Sequence, residues 1–330
     1  MQLNNLRTRS LAAALALTAL WAASSSAAPE KRWFRGNLHT HTLNSDGDST
    51  PSEVTSWYRE HRYQFLVLTD HNYLTNIDAL NAIHGAPGKF ILVPGEEVTT
   101  AFGSLPIHVN ALGLTSLVEP LKGSSVTDTI QKNVNAIREH KGIASLNHPN
   151  FGWAAASKDI SGVGNLGLFE VYNGHPMVNN NGGGGFESLD EMWDTLLTAG
   201  KRMRGIAVDD AHHFKKFSKD SSNPGRGWIM LRGSDLTKAE IMRAIEQGDF
   251  YASNGVELAD LEISAKEILI KTSPRKTEKF RTYFIGGGGK VLRISTDDNP
   301  SYRMQGGEKY VRARVESSYG DTAWTQPVFP

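Results

Sequence analysis

Residues 65–71 read Phe65-Leu66-Val67-Leu68-Thr69-Asp70-His71, an apolar run that is closed by an acid and a histidine. Short, uniformly apolar runs are typical of strands that are buried on both faces of a parallel sheet. Comparable runs recur up to about residue 232, and several of them also end near histidine, aspartate or glutamate. The predicted strands are 65–69, 90–93, 107–112, 143–146, 168–172, 205–208 and 228–231.

Helical patterns alternate with these strands. The segment Thr50-Pro51-Ser52-Glu53 is a capping box with proline at the first helical position, and it predicts a helix that runs to about His61. The helical spacing of residues 126–140 and 189–199 predicts two more helices. A glycine shortly after each segment, Gly142 and Gly200, predicts its end. Alternating strands and helices predict an α/β fold, either a (β/α) barrel or an open doubly wound sheet.

The pattern changes after about residue 257. A last predicted helix, 238–247, is followed by short strand-like runs separated by glycine-rich turns, at 261–264, 268–272, 281–285, 291–294 and 310–315. We therefore expect an α/β domain at 29–257 and a small antiparallel β domain at 258–330.

The first 28 residues have the composition of a secretory signal peptide. Arg7 and Arg9 precede an apolar run at 11–23, and small residues follow at 24–28. No later stretch approaches about 18 uninterrupted apolar residues, so no membrane span is expected. The sequence predicts a protein that is exported to the periplasm or secreted.

The composition limits the chemistry. The chain has no cysteine and 11 histidines, which excludes thiolate nucleophiles, disulfides, iron–sulfur clusters and cysteine-ligated zinc. Any transition metal must be held by imidazole and carboxylate groups. The 35 basic residues balance 35 acidic ones, so no nucleic-acid partner is expected.

Histidines and acids gather at the ends of the predicted strands. His39 and His41 form an H-x-H pair whose imidazoles lie on one face of an extended chain. The other members of the pattern are Asp46, Asp70, His71, Glu96, Glu97, His108, His148, Asp209, Asp210 and His212.

Each of these residues alone fits a structural role. His108 could be a satisfied structural histidine, Asp70 a helix N-cap, and Asp209 with Asp210 a solvated loop. Together, acids that converge on one mouth of a barrel repel one another unless a cation neutralises them. The pattern predicts a metal centre, and the residues alone leave open which member of each acidic pair belongs to it.

These residues resemble the ordered motifs of the PHP superfamily (polymerase and histidinol phosphatase). The matching segments are Gly36-Asn37-Leu38-His39-Thr40-His41-Thr42 with Ser45-Asp46-Gly47, Leu68-Thr69-Asp70-His71-Asn72, Pro94-Gly95-Glu96-Glu97-Val98, Ile107-His108-Val109, Asn147-His148-Pro149 and Asp210-Ala211-His212. A narrower resemblance is to the CehA/McbA-type metallohydrolases, a branch named after a carbaryl hydrolase. It rests on Gly227-Trp228-Ile229-Met230, Phe250-Tyr251-Ala252-Ser253-Asn254-Gly255 and the ending from Ala323-Trp324 to Phe329.

The resemblance implies a distorted (β/α)7 barrel that holds two or three divalent ions, with Zn, Mn and Fe all suited to the ligands. It assigns Glu97 rather than Glu96, and Asp210 rather than Asp209. The implied ligands are His39, His41, Glu97 and Asp210 for the first ion, Glu97, His108 and His148 for the second, and Asp46, His71 and His212 for the third.

The function expected from this ligand set is ester hydrolysis by a hydroxide that bridges the ions and is held through Glu97 and Asp210. A phosphoesterase is favoured. A carboxyl- or carbamate-ester hydrolase with the same centre and a non-catalytic metal-dependent binding module are the alternatives. The expected substrate is a small, anionic ester, and the candidate contacts for it are Arg226, Tyr172 and Asn173. The sequence makes no prediction of the oligomeric state.

Overall fold

The computed structural model describes residues 31–330, so the predicted signal peptide lies outside the described residues. The described chain is a mixed α/β protein. Its strands are β1 Arg32–Asn37, β2 Phe65–Leu68, β3 Ile91–Phe102, β4 Leu105–Leu112, β5 Ile143–Leu146, β6 Leu168–Asn173, β7 Arg204–Val208, β8 Trp228–Gly233, β9 Phe250–Ser253, β10 Leu258–Ile263, β11 Glu267–Thr272, β12 Phe280–Gly286, β13 Lys290–Ser295, β14 Ser301–Arg303, β15 Val311–Ser317 and β16 Thr322–Thr325.

Of the six α-helices in the described residues, those at 51–60, 126–139, 189–198 and 238–247 match predicted helices, and the other two were not predicted. The six helices are α1 Pro51–Glu60, α2 Ile77–His84, α3 Val126–Glu139, α4 Ser157–Ser161, α5 Leu189–Thr198 and α6 Lys238–Gln247. Thr50 and Ser188 form capping boxes with Glu53 and Glu191, and α6 ends at Gly248, whose φ of 79° is left-handed. Among the described residues, none of the helices has the length and apolarity that a membrane crossing requires.

Thirteen strands form one large sheet in the order β13-β12-β15-β16-β9-β8-β1-β2-β3-β4-β5-β6-β7. Within it, β1, β2 and β3 are parallel, and so are β5, β6 and β7, while β4 runs antiparallel to both of its neighbours. The prediction of an α/β fold is confirmed. The closed barrel is not, because no ladder joins β7 to β1 in the part of the chain that the structure describes.

The chain beyond β1 and the chain beyond β7 nevertheless meet at one point. Thr40 and Ala211 form an isolated parallel bridge, in which the His41 amide donates to the Ala211 carbonyl at 2.9 Å. The Asp210 amide donates to the His39 carbonyl at 3.0 Å beside it. This contact brings together the two segments that carry the first and the last of the predicted metal ligands, His39 with His41 and Asp210 with His212.

Strand β3 is longer than predicted. The sequence predicts a strand that ends at residue 93, before Pro94-Gly95. In the structure the strand continues through this dipeptide and exchanges its parallel partner β2 for the antiparallel partner β4. A Cβ on Gly95 would lie 2.3 Å from Val67 Cγ1, so glycine is what allows the chain to pass this crossing.

The C-terminal strands are antiparallel, as predicted. Strands β12, β13, β15 and β16 extend the large sheet through β9, whereas β10, β11 and β14 form a separate three-stranded sheet. The division of the chain at about residue 257 into two domains stays a prediction.

A buried ion pair attaches β15 to α5. Arg312 is fully buried and donates two hydrogen bonds of 2.7 Å to the Asp194 carboxylate. The Arg312 guanidinium also lies 3.1 Å from Asp190 and 4.8 Å from the centre of the Trp193 ring. A guanidinium at such a site depends on its carboxylate partners, because water does not reach it.

We expect Asp194→Ala to lower the free energy of unfolding by about 3–5 kcal/mol, because it leaves a buried guanidinium short of a partner. Urea denaturation of the purified protein measures the loss. The matched control is Asp297→Ala, which removes a surface carboxylate 3.8 Å from Arg293 and is expected to cost less than about 1 kcal/mol. Equal losses for the two variants would contradict the assigned role of the buried pair.

Candidate metal centre

His39 and His41 follow β1 in extended backbone, and both side chains are fully buried. The His39 Nε2 atom lies 3.3 Å from Glu97 Oε2 and 3.2 Å from Asp210 Oδ1. The His41 Nε2 atom lies 3.2 Å from each of the same two oxygens. The H-x-H pair therefore points both imidazoles at one pair of carboxylates.

The alternation of side chains along β3 separates the two glutamates. Glu97 enters the histidine cluster, whereas Glu96 points to the other face, where its Oε2 accepts a hydrogen bond of 2.9 Å from the Val118 amide. Burial raises the pKa of Glu96 to about 7. Burial acts on Glu97 in the same direction, but the charges of His39, His108 and His71 outweigh it and hold the pKa of Glu97 well below its usual range.

The second oxygen of Glu97 faces another group of residues. Glu97 Oε1 lies 3.0 Å from His108 Nδ1 and 3.4 Å from His148 Nε2, and it accepts a hydrogen bond of 2.8 Å from Asn147 Nδ2. His148 follows the end of β5, as expected for a parallel strand. His108 instead lies in the first half of β4, and it reaches the same edge because β4 runs antiparallel and pairs His108 with Thr99.

An outer group surrounds Asp46. Its Oδ2 lies 3.4 Å from His71 Nε2 and 3.4 Å from His212 Nε2, and its Oδ1 lies 3.4 Å from His41 Nδ1. The Asp46 side chain is 53% exposed, whereas Glu97 and Asp210 are buried. This group is therefore the side of the cluster that is open to solvent.

Asp70 holds the loop that carries Asp46. Its carboxylate accepts hydrogen bonds from the Thr42 amide at 2.7 Å, the Thr42 hydroxyl at 2.9 Å, Ser45 Oγ at 3.0 Å and Thr75 Oγ1 at 2.6 Å. Asp70 is fully buried and lies outside the groups of potential ligands. Its role in the structure is to fix the loop.

The two adjacent aspartates after β7 also separate. Asp210 lies in the cluster with a left-handed φ of 50°. Asp209 points away and accepts hydrogen bonds from Tyr58 Oη at 2.8 Å, the Arg226 amide at 2.6 Å and the Gly227 amide at 2.8 Å. The structure thus brings Glu97 and Asp210, and not their neighbours, to the histidines.

All nine ligands implied by the resemblance converge. Their potential donor atoms form four overlapping groups, within each of which the atoms lie within 4.8 Å of one another. The groups are His41, Asp46, His71 and His212; His39, His41 and Asp210; His39, Glu97 and His148; and His71, Glu97 and His108. Because His39, His41, His71 and Glu97 each belong to two groups, the nine residues do not separate into the three ligand sets that the resemblance implies.

The donor set fits a metal ion. Among the described residues, four buried atoms that face the cluster have no hydrogen-bond partner: His39 Nε2, His41 Nε2, His108 Nδ1 and Glu97 Oε2. Orphaned polar atoms at this depth are costly unless a ligand satisfies them. Atoms bound to one cation at about 2.0–2.2 Å lie roughly 3.0–3.4 Å apart, which is the spacing around Glu97 Oε2 and Asp210 Oδ1.

Of the three predicted substrate contacts, only Asn173 hydrogen-bonds through its side chain to a residue of the cluster in the described chain. Asn173 reaches the cluster, where its Nδ2 donates to Asp210 Oδ2 at 3.1 Å. Tyr172 stacks on Trp324 with 6.0 Å between ring centres. The Arg226 guanidinium donates to the carbonyls of Gly174 at 3.0 Å and Ser218 at 2.7 Å. In the described part of the chain, neither Tyr172 nor Arg226 hydrogen-bonds through its side chain to any of the nine cluster residues.

Glu170 contacts the cluster but was not among the predicted site residues. This residue lies inside β6, is fully buried, and its Oε1 lies 2.7 Å from His39 Nδ1. The available signal was a single acid within an otherwise apolar predicted strand, because such an acid requires a buried partner.

No protein-family model matches the chain, and no curated protein matches its sequence. Solved structures are similar to it. A two-domain protein of Bacteroides vulgatus that contains a predicted PHP-like metal-dependent phosphoesterase has a TM-score of 0.52 and 14% identity, over 87% of this chain and 90% of that one. Less similar are a candidate metal-dependent phosphoesterase of Bifidobacterium adolescentis (TM-score 0.41, 13% identity, 57% and 89% of the two chains) and the lesion-specific endonuclease of Pyrococcus furiosus (0.41, 15%, 66% and 56%). The chain therefore shares the fold of a protein with a PHP-like domain over most of its length.

We expect Asp70→Asn to lower the free energy of unfolding by about 2–4 kcal/mol, because one amide oxygen cannot accept from four donors. Chemical denaturation of the metal-stripped protein measures this loss. Asp46→Asn in the same loop serves as the control and should change the stability by about 1 kcal/mol or less, since that carboxylate is half exposed. If both variants lose the same small amount, Asp70 does not hold the loop.

Proposed function

We propose that this protein is a metal-dependent phosphoesterase of the PHP superfamily. The observation that carries the proposal is the convergence of six histidines with Asp46, Glu97 and Asp210, together with four buried atoms of the cluster that have no hydrogen-bond partner among the described residues. The nitrogen and oxygen donors suit divalent transition metals. The fold shared with a PHP-like protein supports the same class of enzyme.

The inner ligands of the proposed centre are His39, His41, Glu97 and Asp210. His108 and His148 complete the side of Glu97 Oε1, and Asp46, His71 and His212 form the side that is open to solvent. When bound, divalent ions supply acidified water as a nucleophile and stabilise charge on an oxygen of the ester.

The chain fixes the metal-binding atom of several imidazoles through the opposite ring nitrogen. His212 Nδ1 donates to the Asp210 carbonyl at 2.9 Å, and this leaves Nε2 directed at Asp46. His71 Nδ1 lies 2.6 Å from Thr99 Oγ1 and 3.0 Å from Glu97 Oε2, while its Nε2 faces Asp46. Such contacts hold the orientation of both rings, so that Nε2 of each ring is directed at Asp46.

Two finer parts of the proposal concern lineage and location. The motif resemblance of residues 227–230, 250–255 and 323–329 supports the CehA/McbA branch, and the composition of residues 1–28 supports export. Fractionation of cells that express the full chain tests export. Recovery of the protein with its first 28 residues intact in the cytoplasm would contradict it.

We expect chelation with EDTA to abolish hydrolysis and added Mn²⁺ or Zn²⁺ to restore it, because the proposed nucleophile is water that the bound ions acidify. Release of p-nitrophenol from phosphate monoester, phosphodiester, acetate and carbamate substrates measures the activity. Turnover of the phosphate esters supports the proposal. Turnover of only the acetate or carbamate substrate would assign a carboxyl- or carbamate-ester hydrolase, and no turnover with metal bound would indicate a binding module.

We expect His39→Ala and Asp210→Asn to lower kcat/KM by at least about 100-fold, because the first removes a donor nitrogen and the second removes the negative charge of an inner carboxylate. Circular dichroism should show that both variants keep the fold. The matched control for Asp210→Asn is Asp209→Glu. Asp209 is the neighbouring residue but points away from the cluster, and the variant keeps its carboxylate, so it should retain measurable turnover. Wild-type activity in His39→Ala or Asp210→Asn would contradict the site.

A further inference from the structure

Glu170 is a buried carboxylate that contacts the cluster but belongs to none of its four groups of potential ligands. It is fully buried between Phe169 and Val171 on β6. A buried carboxylate is tolerated when charge-assisted hydrogen bonds satisfy both of its oxygens. Oε1 lies 2.7 Å from His39 Nδ1, while Oε2 accepts from the His148 amide at 2.7 Å and from Asn173 Nδ2 at 2.8 Å.

A bulge in β6 makes this arrangement possible. Glu170 pairs with Ile206 of β7, but the next pair along the ladder is Tyr172 with Ala207, so β6 contains one extra residue. Residues three apart on a regular strand point to opposite faces. The extra residue places Glu170 and Asn173 on the same face of the sheet. There Asn173 Nδ2 also donates a hydrogen bond of 3.1 Å to Asp210 Oδ2.

The three residues tied to Glu170 come from the ends of three different strands. His39 follows β1, His148 follows β5, and Asp210 follows β7. Two of them have left-handed backbones, with φ of 22° at His148 and 50° at Asp210. Such conformations persist when surrounding contacts hold them, and the Glu170 carboxylate supplies one contact to His148 directly and one to Asp210 through Asn173.

We propose that Glu170 is a positioning residue that sets the metal affinity of the centre by fixing His39, His148 and Asp210 together. Glu170 Oε1 accepts from the Nδ1–H of His39 at 2.7 Å, and this contact directs His39 Nε2 at Glu97 and Asp210. This assignment rests on the proposed metal centre. It adds a residue that touches neither the cation nor the substrate.

Glu170→Gln tests the assignment. The Glu170 carboxylate accepts from His39 with one oxygen and from His148 and Asn173 with the other, whereas a glutamine amide has a single acceptor oxygen. If the amide oxygen faces His39, the amide nitrogen meets the donors of His148 and Asn173. If it faces those donors, His39 loses its acceptor. We expect the Kd for Zn²⁺, from calorimetric titration of the metal-stripped protein, to rise by about 10- to 100-fold.

The matched control is Glu96→Gln, which replaces another fully buried carboxylate outside the cluster. Its Kd should stay within about twofold of the wild type. A purely structural role of Glu170 would lower the stability of the metal-free protein and leave the Kd unchanged.

In the zinc-loaded wild type, we also expect an exchange-protected, downfield NMR signal from the His39 Nδ1 proton that Glu170→Gln shifts or loses.

A folded Glu170→Gln protein that binds Zn²⁺ with wild-type affinity overturns the assignment. If that variant does not fold, Asn173→Ala decides, since it cuts only the branch to Asp210; we expect its Kd to rise by roughly tenfold, and an unchanged Kd overturns the assignment. Failure of the wild type itself to bind Zn²⁺ would overturn the proposed metal centre and the role of Glu170 with it.

Discussion

The central constraint on this fold is the burial of carboxylates among imidazoles at one edge of a sheet. Glu97 and Asp210 are withdrawn from water and share the same histidine nitrogens at 3.2–3.3 Å. Neither group is stable at such a depth without a compensating charge. The surrounding structure, from the Asp70 loop to the Glu170 contacts, holds these groups close together in spite of that cost.

The topology determines which side chains can take part. Parallel strands deliver residues that follow their C-terminal ends, and the antiparallel strand β4 delivers His108 from its first half. Glycine at position 95 allows β3 to cross from its pairing with β2 to its pairing with β4, because a side chain there would clash with Val67. Because Glu97 lies just beyond that crossing, it can face His39 through one oxygen and His108 through the other.

Much of the site could be predicted from the sequence, because histidines and acids at strand ends are visible as a pattern. Alternation along β3 requires Glu96 and Glu97 to diverge, but which of them faces the histidines depends on the register, and the family resemblance supplied that choice. The roles of Glu170 and Asn173 could not be predicted, because a bulge in β6 decides which face each occupies. The outer contacts were predicted less well: the hydrogen bonds of Arg226 go to loop carbonyls, which no charge pattern reveals.

The fold was predictable in class but not in closure. Many strand and helix positions follow from apolar runs and caps, although strands such as β1 and β9 and the helices α2 and α4 were not predicted. The direction of β4 and the pairing of the C-terminal strands with the large sheet depend on contacts between distant segments. The central claim, that the histidine and carboxylate cluster binds divalent cations, is tested most directly by anomalous diffraction from crystals grown with Mn²⁺. The account predicts strong anomalous peaks between His39, His41, Glu97 and Asp210. Their absence, or peaks confined to other parts of the molecule, would contradict it.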